Sequence, residues 1–409
     1  MSIKRFINTL SYSEIERIVR SPVTQRFTRY YLLHEDETIK QEITEWVTPS
    51  GSLEKKNESG QSRSVSLSLR NEKSLMTVGY KGGIPQKEYK YIWTPVPNRG
   101  GLWDYNKIKI VTELKSGNET FEISEGIFVF ADQNLNLQNG QHTVSVQCYD
   151  KFALLDGTIG GNGEFDYEIP LKTPIFEALS SLLKLDKGNG YPYDLNQIHF
   201  PVKYMDERTP YTLKKTNENS IGSIIKDLVL MISCDVRYDD YGTMVILDSL
   251  ADKDYYYRNL AWTYLPDEFK SPSLNLNKTK IKNKITVVGT NINGVLCKGE
   301  AVNDNPQSNY NINSAFGIKS QKITDDLIYS NMLCKERARY ELKKNAQNYA
   351  NIQFTSNYIP HLEPGDLVRW TYEPWEISQE DLLVNTVSIP LNNKDLMPIS
   401  CTNLKELPL

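Results

Sequence analysis

Apolar residues at Ile221, Ile225, Leu228 and Ile232 fall at i, i+4, i+7 and i+11 behind Ser220, and predict an N-capped helix with one buried stripe. The period then drops to two. Cys234, Val236 and Tyr238 alternate with Asp235, Arg237 and Asp239, which predicts a strand with one wet face. Asp239-Asp240-Tyr241-Gly242 supplies residues that tolerate a tight turn, so Thr243 to Leu247 is expected to return as the second strand of a hairpin. Thr173 and Pro174 open an earlier helix as N-cap and first position, with Ile175, Leu179 and Leu182 on its apolar side. These elements predict a compact α+β unit over residues 166–275.

Strand patterns dominate on both sides of it. Ser11-Tyr12-Ser13-Glu14 matches a capping box and predicts a short helix to about Arg20, stopped by Pro22. Gln25–Leu33 and Thr38–Val47 read as paired strands across His34-Glu35-Asp36-Glu37, and 50–62 reads as a flexible loop. Val65, Leu67 and Leu69 alternate strictly with Ser64, Ser66 and Ser68, the signature of a half-buried strand. Glycine and proline mark 79–101 as connections, after which Lys107 onward, Phe121–Ile123, Gly126–Ala131 and Thr143–Tyr149 form a meander with a turn at Asn139-Gly140. So many short strands favour closure, which removes reactive edges, and residues 1–165 are expected to form a closed or nearly closed β-domain. Beyond residue 275, Ile285–Gly289 reads as a buried strand, Asn291-Ile292-Asn293-Gly294 as a turn and Thr324 as the cap of the longest helix. Asp325 and Asp326 are placed in that helix's first turn and Lys343 and Lys344 in its last. Ile352–Thr355, Leu367–Thr371, Leu382–Ile389 and Pro398–Leu404 give a second set of strands.

Composition narrows the function more than the fold. With 409 residues, 39% hydrophobic and 24% charged, the chain is long enough for two or three domains and has the balance of a globular protein. A net charge of −4 without a dense Lys/Arg stripe disfavours binding by phosphate neutralisation. No run resembles a signal peptide or a membrane span, so synthesis in the cytoplasm is expected. Five dispersed cysteines show no CxxC spacing and are expected to be small apolar fillers.

Candidate chemistry is sparse. The Gly157–Gly163 run lacks the Gly-Lys-Ser/Thr and the following helix of a phosphate cradle, and is read as a domain boundary. His34, His142, His199 and His361 form no HExxH or paired ligand set. The carboxylate pairs Asp239-Asp240, Glu363 with Asp366, and Asp325-Asp326 suit glycosidase chemistry in principle, but turns and helix starts explain them more simply. No catalytic, cofactor-binding or metal residue is assigned, and no enzyme activity or cofactor is expected. Tyr255-Tyr256-Tyr257 with Trp262 and Tyr264 leaves open a carbohydrate- or receptor-binding surface, although tyrosine equally suits protein interfaces.

Several stretches taken together carry a family resemblance. Trp103–Ile110, Gly126–Val129 and Val144–Asp150 with Leu154-Leu155-Asp156 resemble the first barrel of phage baseplate hub proteins. The helix and hairpin at Asp239–Gly242, the strand Asn283–Gly289, and the long helix before His361-Leu362-Glu363-Pro364-Gly365-Asp366 are similar to its later parts. The resemblance covers roughly residues 100–405 and implies an α+β, mainly β fold: β-barrel-like tube domains at 1–165 and 276–409, the second with the long helix, flanking the α+β middle domain at 166–275. It further implies a virion protein at the tail tip, forming a homotrimeric ring between the tail tube and a distal spike or lysin protein. DNA is expected to pass through the lumen without specific binding. Because the chain stops at Leu409, any hydrolase or needle is expected to be a separate protein; a carbohydrate- or receptor-binding tail protein is the alternative, and a cell-wall hydrolase a more remote one. A lumen that does not grip DNA is expected to be neutral or acidic. Ser64, Ser66, Ser68, Glu119, Glu122 and Glu125 are its candidate lining, with Lys278, Lys280, Lys282 and Lys284 turned to neighbouring proteins.

Overall fold

The computed structural model describes residues 3–5, 10–81, 84–91, 93, 107–138, 141–162, 167–188, 190–209, 212–215, 219–247, 260–276, 279, 281–291, 293–347 and 350–403. The protein is mainly β with four α-helices among those residues. In its first part, β1 (Ile3–Arg5), α1 (Tyr12–Val19), β2 (Gln25–Leu33), β3 (Ile39–Glu42), β4 (Val47–Lys56) and β5 (Arg63–Arg70) precede the hairpin β6 (Lys73–Lys81) and β7 (Ile84–Tyr91), then β8 (Lys107–Ser116), β9 (Glu119–Gln138) and β10 (Gln141–Asp150). The middle holds β11 (Tyr167–Ile169), α2 (Ile175–Leu183), β12 (Leu213–Lys215), α3 (Ile221–Met231), β13 (Asp235–Tyr238) and β14 (Met244–Leu247). The last part is β15 (Leu260–Thr263), β16 (Phe269–Leu276), β17 (Lys284–Thr290), β18 (Leu296–Val302), β19 (Ser320–Thr324), α4 (Asn331–Gln347), β20 (Ala350–Ser356), β21 (Leu367–Tyr372), β22 (Ile377–Pro390) and β23 (Met397–Asn403).

Fourteen of these strands share one sheet, in the order β16-β20-β23-β22-β4-β5-β10-β9-β8-β2-β3, with β1 on β9 and β15 and β21 branching from β22. Every pairing along that path is antiparallel. The path stays open, and among the described residues no strand pairing closes it into a barrel. What joins the two β-rich ends of the chain is β4, which pairs with β5 on one side and with β22 on the other. Sequence reasoning assigned most of this strand to a loop, because Ser50, Gly51, Ser52, Glu54 and Lys56 hide it. Of its inward side chains, Leu53 and Lys55 are fully buried, and β5 and β22 pair with it on its two edges. One core follows from the shared sheet: Leu32, Val65, Ile108 and Val146 pack in the same cluster as Phe354, Trp370, Val387 and Ile399.

Local patterns hold where they are strongest. The capping box forms, with Ser11 N–H donating to Glu14 at 2.8 Å and Glu14 N–H to Ser11 Oγ at 3.4 Å. Val65, Leu67 and Leu69 are buried on β5 while Ser66 is exposed. Ser220 caps α3 by accepting from Ser223 N–H at 3.1 Å, and Ile221, Ile225, Leu228 and Ile232 are all buried. With α2 and the β13–β14 hairpin they form a separate core that also holds Ile175, Leu179 and Leu182.

Other expectations shift. Pro174, not Thr173, occupies the N-cap of α2, and Thr173 Oγ1 instead donates to Pro170 O. The segment 79–91 contains a regular hairpin, β6 with β7, where connections were expected; the Asn139-Gly140 turn and Trp103–Asn106 lie outside the described residues. Only Ile39–Glu42 of Thr38–Val47 pairs with β2, since a 3-10 turn at Thr44–Trp46 interrupts it. Thr324 ends β19, which pairs in parallel with β17, and Asp325 N–H donates to Val288 O. The long helix therefore starts at Asn331, where Ser330 Oγ accepts from Leu333 N–H at 3.1 Å, and neither Asp325 nor Asp326 lies in its first turn.

Candidate functional site

The densest polar chemistry lies where the tip of the β13–β14 hairpin meets the large sheet. Lys55 of β4 is buried, and its Nζ lies 2.9 Å from Asp240, 2.5 Å from Glu363 and 3.3 Å from Glu125. Arg63 of β5, directly opposite Lys55 in the β4–β5 register, pairs with Asp240 through Nη1 and with Glu363 through Nη2 at 2.9 Å. Other oxygens of the cluster are held as well: Thr112 Oγ1 and Tyr358 OH donate to Glu125 Oε1 at 2.8 and 2.6 Å, and Ser124 Oγ donates to the main-chain O of Asp240 at 2.6 Å. Burial alone would pull the Lys55 ammonium down, but the Asp240, Glu363 and Glu125 carboxylates override it and hold the group well above its ordinary value. For Asp240 the opposing forces are burial, which raises it, and the charges of Arg63 and Lys55, which win and hold it well below the usual carboxylate range. Asp150 anchors the other side of Arg63, accepting from the N–H groups of Ser62, Arg63 and Phe152 at 2.8, 2.9 and 3.0 Å. Its burial outweighs those bonds and pushes it up to about 6.

A second cluster lies on the other side of the same turn. Lys151 Nζ contacts Glu37 and Asp194, each at 2.7 Å, and donates to Gly242 O at 2.8 Å. Lys107 reaches Glu37 at 2.9 Å, Tyr238 OH donates to Asp194 at 2.7 Å, and Asn196 Nδ2 donates to Gly242 O at 3.1 Å. Glu37 is lowered because Lys151 and Lys107 overcome its burial. The two clusters clamp one four-residue turn, through Lys55, Arg63 and Ser124 of β4, β5 and β9 on one side and through Lys151, just after β10, and Asn196 on the other, while Glu363 and Glu37 bridge the cations behind them. What they do chemically is fix geometry: each carboxylate is matched by a buried cation, an arrangement that is costly when broken and that specifies one docking pose.

This junction accounts for several residues singled out from sequence. Asp239-Asp240 does form the hairpin turn, with Asp239 Oδ1 accepting from Tyr241 and Thr243 N–H and Gly242 at φ 74. Glu363 and Asp366 flank a tight turn, in which Asp366 N–H donates to Glu363 O at 3.1 Å and Gly365 has φ 97. Tertiary structure brings Asp240 and Glu363 onto the same two cations, a convergence no local spacing announces. The wet face expected of β13 is covered: Asp235 is buried and accepts from Tyr340 OH of α4 at 2.6 Å, and Arg237 Nη1 donates to Pro364 O at 2.9 Å. Lys55 and Arg63 were missed because an isolated Lys and Arg beside polar strand residues read as surface. Glu125, a candidate lumen residue, is instead buried in the junction, whereas Ser66 is exposed and Ser64, Ser68, Glu119 and Glu122 are partly exposed.

The remaining candidates lie apart. Trp262 and Tyr264 are core residues at 1% and 3% exposure, so they offer no stacking surface; Tyr255–Tyr257 lie outside the described residues. His361 Nε2 meets Ala261 O at 2.8 Å and burial lowers its pKa, while His34 and His199 are exposed. The five cysteines are free and buried, and burial pushes Cys148, Cys234 and Cys401 up, Cys234 to about 12. Gly157 N–H donates to Gly160 O, and Gly161 O accepts from Ile221 N–H, so this stretch packs on the start of α3. Lys282 and Lys284 are partly exposed, Lys284 on the outer strand face, and Lys278 and Lys280 lie outside the described residues. Among the described residues, no group of three His, Cys, Asp or Glu side chains is placed to hold a metal, and no helix is long and apolar enough to cross a membrane.

No protein-family model matches the sequence, and no curated protein matches it. Solved structures do match its fold. The 43 kDa tail protein of prophage MuSo2 from Shewanella oneidensis superposes with a TM-score of 0.55 at 12% identity, over 93% of this chain and 99% of that one. A tail protein from Neisseria meningitidis gives 0.58 at 8% identity, over 93% and 96%. A chain of the Francisella PdpA–VgrG complex gives 0.51 at 10% identity, over 97% of this chain and 61% of the other. The fold of this chain is therefore that of prophage tail proteins and of VgrG-like spike bases.

Proposed function

We propose that this chain is a structural hub of a phage tail tip, assembled as a homotrimeric ring that joins the tail tube to a distal spike or lysin protein. The observation that carries the reading is the end-to-end fold match to two tail proteins, 93% of this chain against 99% and 96% of theirs. The junction supports it, because buried ion pairs fix the middle unit rigidly on the sheet, as a load-transmitting scaffold requires. We read residues 1–165 and 276–409 as two curved, tube-like halves joined by the β4–β22 pairing, with 166–275 as the unit between them. A non-enzymatic role agrees with the carboxylates, since Asp240 and Glu363, the best-placed acidic residues, are neutralised by Lys55 and Arg63.

In this reading DNA passes along a neutral to acidic polar face. Across the sheet, Ser52, Ser66, Gln147 and Asp132 stand in one register row, and Ser68, Ser145 and Asn134 in the next. They frame a shallow depression of about 310 Å³ without a lysine or arginine. Such hydroxyls and amides offer no counterion release on meeting phosphate, so DNA is not held. Light scattering behind size exclusion tests the assembly: the expected mass is three times the 47.0 kDa chain. A strictly monomeric species at micromolar concentration and near-physiological salt would overturn the hub reading.

A further inference from the structure

The cluster around Lys151 holds more than an ion pair requires. Lys151 stands at the first position after β10 and Asp194 in the segment that follows α2, and both side chains are 0% exposed. Lys151 Nζ lies 2.7 Å from Asp194 Oδ1 and 2.7 Å from Glu37 Oε1, so an amine, a carboxyl group and a second carboxylate meet in a space closed to water. The other contacts of Asp194 are neutral donors: Tyr238 OH on Oδ2 at 2.7 Å and the main-chain N–H of Asn196 on Oδ1 at 3.0 Å. The Lys55 cluster differs at this point, because Lys55 and Arg63 both sit on Asp240 and their two charges keep that carboxylate ionised and a poor electrophile. A carboxyl carbon whose oxygens face neutral donors is better disposed to accept a nucleophile, since those donors stabilise the negative charge that develops in the attack.

Glu37 is held in place by strain. Its backbone is left-handed, with φ 64, a conformation that residues other than glycine seldom adopt and that concentrates where a side chain must be aimed. Its carboxylate is fixed from three directions, by Lys151, by Lys107 at 2.9 Å and by Asn196 Nδ2 at 3.2 Å. Lys151 Nζ is likewise locked by donation to Gly242 O at 2.8 Å. Holding reacting groups in contact turns a collision into a first-order step, which accelerates well-oriented pairs by orders of magnitude.

We propose that Lys151 and Asp194 condense in the folded chain to an intramolecular amide bond, with Glu37 as the catalyst that moves the proton. The ammonium first passes a proton along its hydrogen bond to Asp194 Oδ1, a transfer that a dry interior assists by disfavouring charge, and this leaves an amine beside a carboxylic acid. Nζ then attacks Cγ of Asp194, while Tyr238 OH holds the negative charge that gathers on Oδ2. Glu37 takes a second proton from Nζ and delivers it to the already protonated Oδ1, the Cγ–Oδ1 bond breaks, and Oδ1 leaves as water. One C–N bond forms, one C–O bond breaks, and Glu37 returns to its starting state, so no oxidant or co-reactant is needed. The product ties the end of β10 covalently to the middle unit and closes residues 151–194 into a loop that persists when the chain unfolds, which lowers the entropy of the unfolded state.

Intact-mass spectrometry of the purified full-length chain under denaturing, reducing conditions tests the bond. The wild-type protein is expected below its sequence mass by one water, and its protease digest is expected to contain a branched peptide joining Lys151 to Asp194. Glu37→Gln keeps the shape without the proton transfer, and Lys151→Arg keeps the charge without the amine; both are expected at full sequence mass with no branched peptide. Wild type alone decides the matter even where a variant fails to fold. Folded wild-type protein that stays at full sequence mass after days of incubation overturns the bond, as does a water loss that maps to one linear peptide, such as a succinimide at Asp156-Gly157. A branched peptide formed equally in a folded Glu37→Gln protein overturns the role given to Glu37.

Discussion

Asp240 shows how much one buried carboxylate can matter, since it neutralises Lys55 and Arg63 at once and its main chain is tied to Ser124. Asp240→Asn leaves two buried cations short of a partner, and the expected loss is about 3–5 kcal/mol, read as a lower denaturation midpoint at neutral pH. The same group sets a pH dependence. Its folded pKa lies below the ordinary 3.8, so its contribution is fully present above that value and is lost as pH falls through and below it. Asp150 acts in the opposite sense: raised to about 6 in the fold, it adds stability as pH falls from about 6 towards 3.8. Melting temperature is therefore expected to rise slightly from pH 7 to about 4.5 and then drop, and Asp240→Asn should remove part of the acid-side drop. Gly365, at φ 97 inside the Glu363–Asp366 turn, gives a separate measurement. Gly365→Val forces a β-branched residue into that region and is expected to cost about 1–3 kcal/mol, whereas an unchanged melting temperature would sink the turn assignment.

Between elements, α4 is held by close approach more than by an amphipathic stripe. It packs on β17 and β18 through Ile285, Val287, Cys297, Cys334, Ala338 and Leu342. At Gly299 of β18 an added Cβ would lie 2.2 Å from Lys335 N, too close for any side chain. Gly299→Ala is expected to push the helix off the strand at about 1–3 kcal/mol, seen as faster amide exchange in α4 with the large sheet unaffected. Equal exchange in both would show that helix and sheet open as one unit. On the opposite side α4 supplies Tyr340 to Asp235, so the same helix also braces the middle hairpin.

For the whole molecule, the proposed passage of DNA turns on where the cations lie. Several of the strongest cations, Lys55, Arg63, Lys107 and Lys151, are buried in ion pairs and cannot meet phosphate, while the exposed Ser66 row is neutral or acidic. The assembled protein is expected to show no shift of duplex DNA in a gel at physiological salt. Ser66→Lys together with Gln147→Lys should create salt-sensitive binding that the parent lacks. Tight, salt-sensitive binding by the parent protein would instead reveal a basic lining and overturn the neutral-lumen reading.

The sequence by itself determined the elements whose periodicity is strong and local: α3 with its Ser220 cap, the β13–β14 hairpin, the serine-alternating β5 and the capping box of α1. The resemblance, carried by spacing over roughly residues 100–405, pointed to the tail-protein fold, whereas the closed β-domain expected with it is not seen, the sheet staying open among the described residues. Only the tertiary structure decided that β4 is a central strand, because its polar side chains conceal an element stabilised by neighbours more than 300 residues away on β22. It alone brought Lys55, Arg63, Glu125, Asp240 and Glu363 together, from strands and turns at both ends of the chain. The physical reason is one of range. Helix caps, turns and side-chain alternation are set by residues a few positions apart, whereas sheet order and the pairing of buried charges depend on long-range contacts that exist only after the chain has folded.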